Sequence, residues 1–172
     1  LIFLAGLLDD AYGLNALQKF LVQILASIVL IYFEHPVHIL KTIIPDLPDS
    51  PLINYLGMIL FVFWVVMLTN AINLIDGLDG LATGIALITS STVGVIALIR
   101  KELGTAAASI TLAGSLVGFL RFNFNPARIF LGDSGSMFLG FVLAVTAVRG
   151  SQKGPTAMAL LMPLLVLGLP LL

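Results

Sequence analysis

Met58 to Ile99 reads MILFVFWVVMLTNAINLIDGLDGLATGIALITSSTVGVIALI. Two apolar runs flank one polar passage, Asn70 to Gly84, in which Asn70, Asn73, Asp76 and Asp79 recur every three residues. Carboxylates at the edge of a hydrocarbon core are costly, so an ionisable residue there marks a functional site by default. On a helix of about 3.6 residues per turn each step of three drifts about 60° around the axis, and the four residues form a slanting band able to line a cleft. Capping by Asn and Asp, with Gly77 and Gly80 as breakers, accounts for one or two of the four but not for all.

The rest of the chain is equally apolar. Of its 172 residues 59% are hydrophobic and 10% charged, with a mean hydropathy of +1.13; soluble domains run to about 45–50% apolar and about 25% charged. This composition predicts an all-α, polytopic integral membrane protein whose first partner is the lipid bilayer. The chain has no cysteine, which removes disulfides and thiolate metal sites, and a net charge of −1 gives no support to nucleic-acid binding. It starts at Leu1 and stops at Leu172 inside an apolar run. It therefore reads as an internal fragment, a single transmembrane domain over 1–172 with no targeting segment.

Uncharged apolar stretches predict a stub at 1–8 and six spans near 17–33, 52–69, 81–99, 104–120, 134–148 and 155–172. Each span carries the chain to the other side of the membrane. Alternation then places Asp9, Asp10, Asp76, Asp79, Asn123 and Asp133 on one face. Glu34, Asp46, Asp49 and Glu102 fall on the other, as do His35 and His38, which makes the histidines poor catalytic candidates. Lys19, Arg121 and Arg128 accompany the acidic face against Lys41, Arg100, Lys101, Arg149 and Lys153 opposite, a bias that leans mildly away from a cytoplasmic site. The chemistry of the acids, not this count, decides the side.

Asp9 and Asp10 repel each other unless a cation or a shared proton relieves them. Magnesium suits such oxygen-rich groups because it keeps several waters and is held by one or two carboxylates plus substrate phosphates. In FNFNPARIFLGDSGS, Asn125-Pro126 marks a turn, and Asp133 or Ser134 makes a good helix cap. A helix N-terminus flanked by Gly132 and Gly135 could present its amides to a phosphate, with Asp133 holding the bridging metal. Arg121 and Arg128 add positive charge, and Phe130 could stack on a base.

The order LLDD, NAINLIDGLDGLATG, FNFNPARIFLGDSGSMFLGF resembles the polyprenyl-phosphate N-acetylhexosamine-1-phosphate transferases, the WecA, TagO and MraY relatives, most closely the WecA/TagO branch. The resemblance implies that Asp9 and Asp10 are the paired catalytic aspartates near the metal and lipid phosphate, themselves candidate metal ligands, and that Asp133 is catalytic and the principal magnesium ligand. It implies that Asn70, Asn73, Asp76 and Asp79 form the nucleotide side, with Asn73 a further candidate metal ligand. Asn123 and Gly132 would line the same cleft, and Phe130 would lie next to uracil. The implied reaction transfers N-acetylglucosamine 1-phosphate, or a related acetamido sugar phosphate, from a UDP-sugar to undecaprenyl phosphate and releases UMP. This would be a first membrane step of cell-envelope polysaccharide synthesis at the cytoplasmic membrane, with the site facing the cytoplasm. Magnesium, with manganese as an alternative, would be the cofactor, and a homodimer is an assembly the sequence leaves open. The family's early basic loop and its later His-rich loop are absent from 1–172, so this stretch is not expected to be active alone.

Three other classes fit less well. A CDP-alcohol phosphotransferase shares the start of its motif with Asp76, Asp79 and Gly80, but Thr83 and Gly84 stand where Ala-Arg belongs. An intramembrane aspartyl protease would need a glycine at Phe130. An ion-coupled transporter would place its acids at mid-span and gives no reason for glycine-rich loops gathered on one face.

Overall fold

The computed structural model describes residues 1–34, 48 and 50–151, which form six α-helices and, among the described residues, no strand. These are α1 (Ile2–Tyr12), α2 (Ala16–Glu34), α3 (Pro51–Ile75), α4 (Leu81–Ile99), α5 (Leu103–Asn123) and α6 (Gly132–Ser151). The Pro-rich segment with His35, His38, Asp46 and Asp49 lies outside the described residues, as does the expected span 155–172.

Local chemistry sets the helix ends. Gly13 closes α1 in the left-handed region, at φ 71°, and its amide donates to the Asp9 carbonyl at 2.8 Å. Asn15 and Gln18 then cap α2 reciprocally, each backbone amide donating to the other's side-chain oxygen at 3.0 and 2.9 Å. Ser50 caps α3, accepting from the Ile53 amide at 3.3 Å, with Pro51 in the first turn. α3 has 25 residues, about 37 Å of helix, more than the roughly 30 Å of a hydrocarbon core. The span expected from sequence stops at residue 69, but the helix runs on through Asn70 and Asn73 to Ile75. Both amides find partners on neighbouring helices, and Asn70 also donates back to the Val66 carbonyl one turn earlier at 2.8 Å without ending the helix. Gly80, at φ 73°, turns the chain into α4.

Among the described residues three helices, α3, α4 and α5, are long and apolar enough to cross a bilayer, and the apolar part of α2, Ala16–Tyr32, is shorter. The expected span at 134–148 is the body of α6, less apolar over its full length because Asp133, Ser134, Ser136 and Arg149 lie within it. The chain is thus a polytopic, all-helical membrane protein. α6 sits at the centre: Ser136, Met137, Leu139, Leu143, Ala144, Ala147 and Val148 are all buried. Its Leu139, Leu143, Ala144 and Val148 join Phe61, Val65, Leu68 and Ile72 of α3, Ala82, Ile85 and Ala86 of α4 and Leu116 of α5 in one core. The Trp64 indole also donates to the Ala144 carbonyl at 3.2 Å.

In lipid, helices associate through close packing of small residues more than through apolar burial. Gly140 of α6 lies against the backbone of α3, where an added Cβ would stand 2.6 Å from Thr69 Cα, and Gly6 of α1 lies equally hard against Ser134. Gly94 of α4 packs less tightly, a Cβ on it standing 3.0 Å from the Ile110 side chain of α5. Gly140→Val should therefore destabilise the full-length protein by about 1–3 kcal/mol, read as a lower unfolding midpoint in detergent. Gly114→Ala, whose Cβ would meet nothing within 4 Å, should leave the midpoint unchanged.

Candidate active site

All the expected site residues lie at one end of the bundle, where α1, α3 and α5 finish and α2, α4 and α6 begin. The acids occupy helix ends and not mid-span, as the alternation of spans requires. α6 is set against α1 by Asp10, whose Oδ1 accepts from the Asp133 amide at 2.8 Å and whose Oδ2 accepts from the Ser134 amide at 3.0 Å. A carboxylate is well placed there, where orphan amides and the helix dipole favour negative charge. Gly132 has φ 67°, and a Cβ on it would come 3.0 Å from the Asp10 carboxylate. Glycine is thus demanded twice over.

This corrects one expectation. The amides of Asp133 and Ser134, expected to cradle a phosphate, are already bonded to Asp10, and the Gly135 amide donates to the Leu131 carbonyl at 3.2 Å. The space beside Gly135 is filled by the Leu131 side chain. Asp10 is itself a helix cap first.

Asp133 sits at the centre of the cluster. Its Oδ1 accepts from Asn73 Nδ2, which also donates to Ser136 Oγ at 2.8 Å, and Ser136 Oγ donates in turn to the Gly132 carbonyl at 2.8 Å. Its Oδ2 lies 3.5 Å from Lys19 Nζ, and the same ammonium forms an ion pair with Asp9 Oδ2. Asp9 Oδ1 accepts from the Leu14 amide at 2.6 Å. Burial alone would push the Asp9 carboxyl up, but the Lys19 ammonium and the Leu14 amide outweigh it and hold Asp9 below the usual carboxylate range. Asp10 follows the same pattern, burial being overcome by its bonds to Ser134 and Asp133. Asp76, just past the end of α3, has no such help. Burial first, then the charges of Asp133 and Asp10, raise its carboxyl to about 6.

The other expected residues divide differently. Asp79 Oδ2 accepts from the Ala127 amide at 2.9 Å and from Asn125 Nδ2 at 3.2 Å, pinning the 124–131 loop. Asn123 is 3% exposed, accepts from Thr83 Oγ1 at 2.6 Å and donates to the Ile129 carbonyl at 3.0 Å, which anchors the other side of that loop. Phe130 follows the anchored Ile129 and is 71% exposed. Asp79 and Asn123, expected on the nucleotide side, hold the loop that carries Phe130. Asn70 turns toward α2 and pairs with Gln23.

Four residues escape the sequence reading as site residues: Lys19, Gln23, Thr83 and Ser136. Lys19 counts there only as a loop charge, although a cation in the first turn of an apolar span is a signal. Gln23 is the one strongly polar side chain in FLVQILASIVL.

Lys19 serves Asp9 and Asp133, while Asp76 feels the charges of Asp133 and Asp10, and that excess of negative charge suits a hard divalent cation. Among the described residues no three acidic side chains meet as a ready-made cage. The donors present, Asp133 and Asp76 with the Asn73 amide oxygen, instead fit an ion that takes its remaining ligands from water and substrate.

A helical membrane bundle that assembles carboxylates and an ammonium at one end defines an integral membrane protein with a charged site at the ends of its helices. The chain belongs to glycosyl transferase family 4, whose model matches residues 1–151. It is 38% identical over 171 residues to a probable undecaprenyl-phosphate N-acetylglucosaminyl 1-phosphate transferase of Bacillus subtilis (strain 168), covering 99% of this chain and 47% of that protein. It is 40% identical over 158 residues to a decaprenyl-phosphate N-acetylglucosaminephosphotransferase of Mycobacterium leprae (strain TN), covering 87% of this chain and 39% of the relative. A phospho-N-acetylmuramoyl-pentapeptide-transferase of Listeria innocua is 39% identical over 157 residues, covering 86% and 48%. The chain thus spans about half the length of the curated relatives it matches.

The crowding of Asp76 can be read in stability. Its raised carboxyl is protonated in the fold below about pH 6, whereas an unfolded carboxylate ionises near pH 3.9. Ionisation therefore erodes stability as pH rises through that window. In metal-free buffer Asp76→Asn should match the wild-type unfolding midpoint near pH 4 and exceed it at pH 7. Added magnesium should narrow the difference, and equal midpoints at every pH would refute the crowding.

Proposed function

We propose that the full-length protein transfers N-acetylglucosamine 1-phosphate from UDP-N-acetylglucosamine to a polyprenyl phosphate, undecaprenyl phosphate in the first instance, and releases UMP. The observation that carries this reading is the meeting of Asp133, Asn73, Lys19 and Asp9 between α1, α2, α3 and α6. The names of the Bacillus and Mycobacterium relatives support the choice of sugar and of a prenyl phosphate acceptor. An apolar groove of about 520 Å³ between α2 and α3, lined by Phe20, Ile24, Ile59, Phe63 and Met67, suits a prenyl chain just below the charged cluster.

In the reaction a phosphate oxygen of the acceptor forms a bond to the β-phosphorus of the donor. The bond from that phosphorus to the oxygen bridging the two phosphates breaks, and UMP leaves with the electron pair. A phosphate monoester has its second pKa near 6, so at neutral pH the nucleophile is already mostly ionised and needs little help from a base. Asp9 and Asp10 are held below the usual carboxylate range, and they act by position: Asp9 orients Lys19, and Asp10 fixes Asp133. The Lys19 ammonium offsets phosphate charge as it develops. A magnesium or manganese ion, held by Asp133 with Asn73 and Asp76, supplies further charge neutralisation when bound. Phe130 offers an exposed face for uracil, held in place by Asp79 and Asn123. Nucleotide sugars are made in the cytoplasm, which favours a site on the cytoplasmic face of the cell membrane.

Full-length protein given UDP-N-acetylglucosamine, undecaprenyl phosphate and magnesium should release UMP, and Asp133→Asn and Lys19→Met should each lower that rate by about a hundredfold or more. UMP release by Asp133→Asn at the wild-type rate would remove the metal assignment. A panel of UDP-sugars run against CDP-alcohol donors checks the sugar and the class together.

A further inference from the structure

Just beneath the charged cluster, α2 and α3 are joined by a reciprocal amide pair. Asn70 Nδ2 donates to Gln23 Oε1 at 2.6 Å, and Gln23 Nε2 donates to Asn70 Oδ1 at 3.3 Å. Asn70 Nδ2 also donates to the Val66 carbonyl at 2.8 Å. Gln23 is fully buried, and its backbone carbonyl accepts from the buried Ser27 hydroxyl at 2.8 Å. An amide in an apolar bundle is costly unless each of its groups is bonded, so a matched pair holds two helices in one register. A mismatched slide would leave both amides unsatisfied.

The place of the pair matters. Gln23 lies one turn along α2 from Lys19, and Asn70 lies one turn along α3 from Asn73, the partner of Asp133. On the other side the apolar groove begins, with Phe20 and Ile24 on α2 and Val66 and Met67 on α3. Turning α2 by a single residue would swing Lys19 about 100° around the helix axis, away from both of its carboxylates. The Asp9 and Asp133 ion pairs alone do not set that rotation, because a lysine stem is long and flexible.

We propose that Gln23 and Asn70 are positioning residues, a clasp between α2 and α3 that holds Lys19 between Asp9 and Asp133 where the apolar groove meets the charged site. This deepens the transferase reading, and only its kinetic test rests on that reading.

A carbodiimide activates a carboxyl group, and a lysine amine that has lost its proton displaces the urea and forms an amide only when the two groups are in contact. In full-length, detergent-purified protein the summed Lys19–Asp9 and Lys19–Asp133 products, measured by peptide mass spectrometry, should fall about tenfold in Gln23→Leu and in Gln23→Asn. The double exchange Gln23→Asn with Asn70→Gln restores the summed side-chain length and should restore the cross-link. Wild-type cross-linking in Gln23→Leu, or a double exchange no better than Gln23→Asn, would overturn the clasp. In turnover assays the same variants should lower kcat/KM for polyprenyl phosphate in step with the cross-link while KM for the nucleotide sugar stays within about twofold. An equal rise in the donor KM would count against the clasp. No transfer at all by the wild type would remove the transferase reading and leave the cross-linking result to stand by itself.

Discussion

Asp10 is the constraint from which the rest of the site follows. Two backbone amides at the start of α6 end on its carboxylate, and so a residue at the close of the first helix fixes the beginning of the last described one. Gly132 is shaped to that contact, and Gly6 lets α1 lie directly against Ser134. With α6 set in this way, Asp133 points back toward α2 and α3, where Lys19 and Asn73 reach it. Membrane helices have weak apolar reasons to choose one arrangement over another. Charge-assisted bonds to a helix terminus supply a strong, directional one.

The electrostatics of the cluster carry a second theme. Three of its carboxylates are compensated, Asp9 by an ammonium, Asp10 by helix amides and Asp133 by an ammonium and an amide. Asp76 is buried and receives the repulsion of Asp133 and Asp10, and its raised carboxyl records this. Stability and ligand binding are linked wherever a fold gathers like charges that a ligand relieves. The site is thus incomplete electrically before it is complete chemically.

Much of this was legible in the sequence, and the failures have physical causes. Alternating spans were enough to bring Asp9, Asp10, Asn73, Asp76 and Asp133 to one end, because each crossing is forced by backbone hydrogen bonding in lipid. The centrality of α6 was not legible: lipid tails are as apolar as leucine, so an apolar run does not say whether it faces lipid or protein. The end of α3 falls too early in the sequence reading because an apolar run stops at Asn70, while the helix continues once Asn70 and Asn73 find tertiary partners. The same lack of partners hid the roles of Asp79 and Asn123. Both are polar residues in a glycine-rich context, and nothing local distinguishes an anchor for a loop from a contact for a ligand.

The loop from Phe124 to Leu131 is tied down through its middle, by Asp79 at Asn125 and Ala127 and by Asn123 at Ile129, while the Phe130 ring beside it stands in solvent. Foundation and fitting are therefore separate pieces. Exchanging the exposed aromatic for another side chain disturbs no buried contact, and surface changes of that kind usually alter stability by less than about 0.5 kcal/mol. What the exposed ring touches can therefore be changed without rebuilding the helices beneath it.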